Sequence, residues 1–228
     1  MVVWLLCILI FASYMLGNIN FARIVTRFRQ INLEKVGSGN PGATNVLRNV
    51  GFKLGMVTMV LDAIKGALAA LAGYYACLWT GGALFPDCVI WLYACGAAVV
   101  VGHIFPVIYK FKGGKGIAAC IGLFAVAQPI PLLIAFAVLF TLLIIFRYVS
   151  ILALIGVTAM IIVENLMHAF NLAISLITYG IFLLVWFAHR ANIVRLLVGK
   201  ENELSIQKAI EKDRLRRLKK ENKEHVQP

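Results

Sequence analysis

The sequence predicts an all-α integral membrane protein with seven transmembrane helices, its N-terminus outside and its C-terminus cytoplasmic. Three observations carry that expectation. Of the 228 residues, 61% are hydrophobic and only 14% charged, with a mean hydropathy of +0.88; a soluble domain is nearer half apolar. The apolar residues collect into seven runs of membrane-spanning character. The basic residues outside those runs all fall on one side once the loops are numbered alternately.

The runs lie at 1–22, 54–79, 88–109, 117–128, 130–146, 149–167 and 172–188. Residues 1–22 lack a basic leader and a small-residue cleavage site, so they read as a retained first helix and not as a signal peptide. The stretch 117–146 is too long for one crossing and carries Pro129 and Pro131. Proline removes a backbone donor, so two helices are expected, joined at Gln128-Pro129-Ile130-Pro131, the first of them short. Six crossings is the alternative. Residues 23–53, 110–115, Arg147 and everything after 189 share one side, with every Lys and Arg except Lys65. The N-terminus, 80–87, 128–131 and 168–171 share the other. Six crossings would put the basic residues after 189 on the N-terminal side, so charge favours seven. The basic side is then cytoplasmic. The net charge of +12 follows from topology and anionic headgroups and needs no nucleic acid.

Three polar blocks interrupt the apolar pattern, all on the basic side. The first is Gly37-Ser38-Gly39-Asn40-Pro41-Gly42-Ala43-Thr44-Asn45, closed by Arg48. Glycine and proline let such a chain turn back and expose N–H groups as an anion-binding concavity. Arg48 adds a fork suited to phosphate. The second runs from Gly102-His103-Ile104-Phe105-Pro106 to Lys110-Phe111-Lys112-Gly113-Gly114-Lys115-Gly116. A positive-inside loop explains its lysines but not three glycines packed around Lys115. The third is His189-Arg190-Ala191-Asn192-Ile193 with Arg195, Gly199 and Glu201. On a continuing helix His189, Asn192 and Arg195 share a face; a snorkelling basic collar is the plainer reading. Together the blocks describe a pocket for a phosphorylated substrate at the membrane surface, with Ser38, His103 and His189 as hydrogen-bonding or proton-transfer groups.

Elsewhere the plain readings prevail. Asp62 and Lys65, three apart in the second run, are expected to neutralise each other. Glu164, beside Asn165 and His168, is expected to reach the outer interface. Cys77 and Cys88 could approach each other on the outer face, but no disulfide is expected. No Cys/His cluster or paired carboxylates suggest a metal. Residues 1–201 form a polytopic domain, and 202–228 a basic tail that is a charged helix or disordered, solvated by default, Lys212 included.

Several familiar patterns fail. Gly37-x-Gly39-x-x-Gly42 matches the dinucleotide fingerprint but lacks its strand–turn–helix context. Lys115 is followed by glycine where a phosphate-binding P-loop has Ser or Thr. The His-x4-Asp pattern of common glycerolipid acyltransferases and the aspartate-rich signature of CDP-alcohol phosphatidyltransferases are both missing.

The three blocks, in this order, resemble the acyl-phosphate-dependent glycerol-3-phosphate acyltransferases of bacterial inner membranes. Gly37 to Arg48 resembles that family's first motif, GHIFP…FKGGKG over Gly102 to Gly116 its second, and HRANIVRLLVGKE over His189 to Glu201 its third. Leu61-Asp62 to Lys65-Gly66 and Arg147-Tyr148-Val149-Ser150 also resemble family positions. Asn18 and Asn20 stand where a serine and a proline are common, Ala119 and Ala153 replace hydroxyl residues, and the basic tail looks longer than usual.

The resemblance implies acyl transfer from acyl phosphate to the 1-hydroxyl of glycerol 3-phosphate, giving lysophosphatidic acid and phosphate, an early step of phospholipid synthesis. It implies no cofactor, no metal and no obligatory protein partner, and an active site facing the cytoplasm at the inner membrane. Catalytic residues are then Ser38, Arg48, His103, Lys115 and His189. Substrate-binding residues are Gly37, Gly39, Asn40, Gly42, Thr44, Asn45, Gly113, Gly114, Gly116, Ser150, Arg190, Asn192, Arg195 and Glu201. Ser38 and Arg48 are expected on a phosphate near the reacting carbonyl, Lys115 on the other phosphate or the developing charge, and His189 with Asn192 on glycerol 3-phosphate. His103 is a base or a structural partner of the loops, and a substrate phosphate could accept the proton instead. The rival reading is a transporter or exchanger for a phosphorylated solute, served by Asp62, Lys65 and the proline-broken segments. The one-sided polar blocks and the lack of an evident inverted repeat argue against it.

Overall fold

The computed structural model describes residues 2–82, 87–168 and 171–224, with side chains to 218. The described residues are helical, with no strand among them. The order is α1 Val2–Asn18, α2 Phe21–Arg27, α3 Ala43–Asn49, α4 Phe52–Trp79, α5 Cys88–Ile104, α6 Ile117–Ala127, α7 Pro129–Phe146, α8 Val149–Met167, α9 Leu172–Ala188, α10 Arg190–Leu197 and α11 Ile206–Glu224.

Among the described residues five helical stretches are long and apolar enough to cross a membrane: Val2–Arg27, Phe52–Trp79, Cys88–Tyr109, Pro129–Phe146 and Val149–Met167. Leu172–Ala188 and Arg190–Leu197 qualify together as a pair bent by 55°. The remaining apolar run is α6, whose 11 residues extend ~16 Å at about 1.5 Å each, half of a hydrocarbon core about 30 Å thick. It stops at Gln128, which precedes Pro129 as the proline break anticipates. Parts of the expected loops 80–87 and 168–171, and residues 225–228 of the tail, lie outside the described residues.

The 28-residue α4 is the centre of the bundle and packs on α5, α6, α1 and α3. Small residues make that packing close. A Cβ on Gly122 of α6 would lie 1.8 Å from the Ala63 carbonyl oxygen, and one on Gly66 of α4 would lie 2.2 Å from that of Ala119. Apolar surface gives no drive for helix association in lipid, so backbone approach through small residues supplies contact instead. Ala119 therefore belongs to the α4–α6 crossing.

Three expectations are corrected. Cys77 and Cys88 do form a disulfide, with their Cα atoms 5.4 Å apart. Asp87 caps α5 by accepting the Val89 N–H at 3.0 Å, which starts that helix at Cys88 opposite the end of α4. Glu164 does not reach the interface: it is fully buried. The break at Gln128 leaves an amide inside the bundle, and that amide donates to Glu164 and, at 3.0 Å, to the Tyr93 hydroxyl. His168 Nε2 lies 3.1 Å from the same carboxylate. The tail is a charged helix, as one alternative held, but it is docked: Leu204 and Ala209 are buried, and α11 packs on α3 and α4.

The α4–α6 crossing is testable. Gly122→Ala is expected to force the helices apart at a cost of ~1–3 kcal/mol, as overpacking does. A lower unfolding midpoint in detergent would show it. Gly180→Ala, where an added Cβ meets nothing within 4 Å, should leave the midpoint unchanged.

Candidate active site

The first polar block folds around Asn45. Its amide nitrogen donates to the Leu33 and Val36 carbonyls at 3.3 and 3.1 Å, and its Oδ1 accepts the Ser38 N–H at 3.2 Å. Asn49 donates to the same Oδ1 at 2.8 Å. Gly37 and Gly39 take positive φ of 59° and 69°, which other residues rarely adopt. Asn20 holds this loop to α2, donating to the Pro41 carbonyl at 3.0 Å while accepting the Arg23 N–H.

The second block is built on His103, buried at the end of α5. Its Nδ1 lies 2.9 Å from the Lys65 ammonium nitrogen and 3.5 Å from Asp62 Oδ1. Lys65 and Asp62 pair at 2.8 Å. The Gly114 N–H donates to the His103 carbonyl at 3.0 Å, and a Cβ on Gly114 would lie 2.2 Å from His103 Nε2. The glycine is therefore the seat for the imidazole. Asn18 anchors the same loop by accepting the Ile108 N–H at 3.3 Å.

The third block turns at His189, between α9 and α10. His189 Nδ1 lies 2.8 Å from the Val185 carbonyl. A carbonyl only accepts, so Nδ1 carries the hydrogen and the Nε2 lone pair is left for another group. The 55° bend swings Asn192 onto Lys115, whose ammonium donates to its Oδ1. Asn192 passes the connection on, donating to Glu201 Oε1 at 2.7 Å; Ser150 Oγ donates to that oxygen at 3.0 Å, and Arg195 Nε to Glu201 Oε2 at 2.9 Å.

These groups border one cavity of about 280 Å³. Its polar end holds Ser38, Asn40, Thr44, Arg48, Lys115 and His189. Its apolar end lies between Phe124 of α6, Met160 of α8 and a stripe on α7, Leu132, Ala135, Phe136, Leu139, Phe140 and Leu143. Burial pushes the Lys115 ammonium down to about 8; Glu201 opposes that, while Arg195 and Arg48 add to it. Burial works to raise the Glu201 carboxyl, but hydrogen bonds from Asn192 and Ser150, with the Arg195 charge, hold it below the usual range.

Of the residues singled out from sequence, Ser38, Asn40, Gly42, Thr44, Asn45, Arg48, His103, Lys115, Gly116, Ser150, His189, Asn192 and Glu201 all line this cavity. Gly37, Gly39, Gly113 and Gly114 shape the loops without lining it. Arg195 reaches it only through Glu201. Arg190 does not join it: its guanidinium stacks 4.3 Å from the Phe187 ring centre and donates to the Phe187 carbonyl. It is a collar residue at the helix end, the plainer of the two sequence readings. Asp62 lines the cavity although its plain reading from sequence is a neutralised pair, and its contact with His103, remote in sequence, emerges only from the fold. The α7 stripe was legible as spacing, since 132, 135, 136, 139, 140 and 143 share a helical face, but an all-apolar helix conceals which face matters. Among the described residues no group of three or more His, Cys, Asp or Glu could hold a metal ion.

Comparison with known proteins shows the family. The family model for glycerol-3-phosphate acyltransferase matches residues 7–199. A glycerol-3-phosphate acyltransferase of Mycoplasmopsis pulmonis is 36% identical over 83% of this chain and 88% of its own length. One of Thermoanaerobacter pseudethanolicus is 38% identical over 84% and 92%. The crystal structure of PlsY, an integral membrane glycerol 3-phosphate acyltransferase, in its glycerol 3-phosphate form superposes with a TM-score of 0.78 at 31% identity, over 89% of this chain and 97% of that one. Its lysophosphatidic acid form superposes with a TM-score of 0.75 at 30% identity, over 90% and 98%. The chain therefore belongs to the glycerol-3-phosphate acyltransferase family and is a multi-pass membrane acyltransferase of lipid biosynthesis.

Proposed function

We propose that the chain transfers an acyl group from acyl phosphate to the 1-hydroxyl of glycerol 3-phosphate, releasing lysophosphatidic acid and inorganic phosphate. The observation that carries this reading is a cavity that joins a glycine-framed end bearing Arg48 and Lys115 to an apolar end. A donor with an anionic reactive head on a long hydrocarbon chain fits both.

An acyl phosphate is a mixed anhydride, already activated, so the site need only orient the reactants and stabilise charge. The glycerol hydroxyl attacks the acyl carbon, a new C–O ester bond forms, the C–O bond to phosphate breaks and phosphate leaves with the electron pair. In this reading Ser38 and Arg48 hold the donor phosphate and Lys115 the acceptor phosphate or the developing oxyanion. Asn192 and Glu201 orient the Lys115 ammonium, with Ser150 and Arg195 fixing Glu201 in turn. His189 lines the cavity and keeps its Nε2 lone pair, so it serves as the hydrogen-bond acceptor for the attacking hydroxyl, with the substrate phosphates as alternative proton acceptors. His103, engaged by Lys65 and seated on Gly114, serves as a structural partner of the loops. No cofactor, metal or protein partner is required.

The same reading sets the protein in the inner membrane with seven crossings, the N-terminus outside and the cavity open to the cytoplasm. The cavity's polar end shares the basic side of the chain, and the Cys77–Cys88 disulfide lies at the opposite ends of α4 and α5, consistent with an oxidising outer side. Residues 1–201 are the catalytic body and 202–228 an appended tail.

Purified protein in detergent, given labelled glycerol 3-phosphate, should form lysophosphatidate with palmitoyl phosphate and not with palmitoyl-CoA or acyl-carrier protein. Turnover with a thioester alone would reject the donor assignment. In the same assay Lys115→Ala and Arg48→Ala are each expected to lower kcat/KM by about 100-fold or more, the scale of losing one charge-stabilising donor, while Lys200→Ala on the exposed collar stays near wild type.

The depressed Lys115 value sets a pH limb. The ammonium is charged below about 8 and neutral above it, so kcat/KM should fall as pH rises through that value, reporting the free enzyme. Lys115→Arg, charged throughout, should be less active but flat over the same limb. A wild-type profile level to pH 10 would remove Lys115 from charge stabilisation.

A further inference from the structure

We infer that residues 202–213 are a positioning strap for Arg48. The strap lies beyond the residues 7–199 that the family model matches, and it touches Arg48 at both its side chain and its backbone. Arg48 Nε donates to the Glu203 carbonyl at 3.1 Å and Nη2 to the Asn202 carbonyl at 2.9 Å. Lys212 Nζ donates to the Arg48 carbonyl at 2.7 Å. These bonds fix the plane of the guanidinium and leave Nη1 uncommitted among the described residues for an anion in the cavity that Arg48 lines.

The strap is tied down at three corners. The Leu204 N–H donates to the Arg147 carbonyl at 2.8 Å, between α7 and α8, and Leu204 is buried. Asp213 Oδ2 accepts the Lys53 N–H at 2.9 Å, in the first turn of α4. Lys212 meets the end of α3. An anion at a helix N-terminus and a cation at a helix C-terminus are both favourable, so two adjacent residues of α11 clamp the α3–α4 corner. Gly51 makes room for the clamp, since a Cβ there would lie 2.1 Å from Asp213 Oδ1. Asp213 and Lys212 are positioning residues: they act on substrate only through Arg48. Lys212, which the sequence offers as solvated surface, is part of the device.

The inference rests on the phosphate role given to Arg48 above, and its test is a double-mutant cycle. kcat and KM for both substrates are measured for the full chain, Asp213→Ala, Arg48→Lys and the double variant, with whichever acyl donor the wild-type chain turns over. A wrong donor assignment therefore leaves the coupling readable. Asp213→Ala is expected to lower kcat/KM about tenfold in the wild-type background, mostly as a raised KM. In the Arg48→Lys background, where no fork remains to be held, it should cost less than twofold. Lys212→Met, which keeps the stem and removes only the donor, should follow the same pattern and serves if Asp213→Ala fails to fold. Equal losses in both backgrounds, or no loss in either, would overturn the strap.

Discussion

A cation buried in an apolar bundle must find every partner inside it, and Lys65 satisfies that demand in a way that organises half the molecule. Its ammonium donates to the Gly17 and Ile19 carbonyls at 3.1 and 2.7 Å, pairs with Asp62 and reaches His103. The carbonyls come from the end of α1, where helix termination leaves acceptors unused. The carboxylate comes from α4 itself, the imidazole from the end of α5. One charge therefore locks the break between α1 and α2, the middle of α4 and the start of the Lys115 loop together. Removing Asp62 would strand a buried charge, which costs far more than a surface pair is worth. Held in this way, His103 presents a fixed face to Gly114, the residue before Lys115.

A second network repeats the arrangement closer to the surface with the signs reversed. Glu201 is an anion surrounded by donors, Ser150, Asn192 and Arg195. Its position balances one guanidinium while leaving Arg48 and Lys115 as the cationic residue of the cavity. Asn192 is the hinge between the two systems, accepting from Lys115 and donating to Glu201. It stands on α10, just past the 55° bend after α9. The two shifts have different origins: burial depresses Lys115 against the pull of Glu201, whereas hydrogen bonds from Asn192 and Ser150, with the Arg195 charge, lower Glu201 against its burial.

Much of this was legible in the chain. The apolar runs, the break at Gln128 and the three polar blocks are local signals, and the structure gathers the blocks at one cavity. What the sequence concealed depends on pairings between distant residues. Asp62 and Lys65 read as a closed pair because His103, 38 residues from Lys65, supplies the third member. Glu164 read as an interface residue because its partners Tyr93 and Gln128 belong to other helices. Asn18 and Asn20, departures from the expected pattern, turn out to anchor the second and first polar blocks. Asn45 lines the cavity, but its amide is spent on the loop's own backbone, a distinction that residue type alone does not draw. Arg190 and Arg195 are both basic and near the third block, yet one caps a helix and the other pairs with Glu201. Both lie on α10, five residues apart, so they point to different sides of that helix.

The apolar end of the cavity sets the logic of recognition. α7 contributes a full stripe to it while burying none of its own residues, so that wall faces hydrocarbon on its other side. A chain moving from the bilayer into this end exchanges one apolar surrounding for another, and the hydrophobic term that dominates binding from water nearly vanishes. Binding energy for the proposed donor must then come from its head. There the cavity offers two cations, a glycine-framed loop and oriented hydroxyl and amide groups, all held by networks that do not depend on substrate. Preorganised charge is strongest where charge develops during the reaction. An enzyme that draws little from the tail can therefore spend what it draws from the head on the transition state.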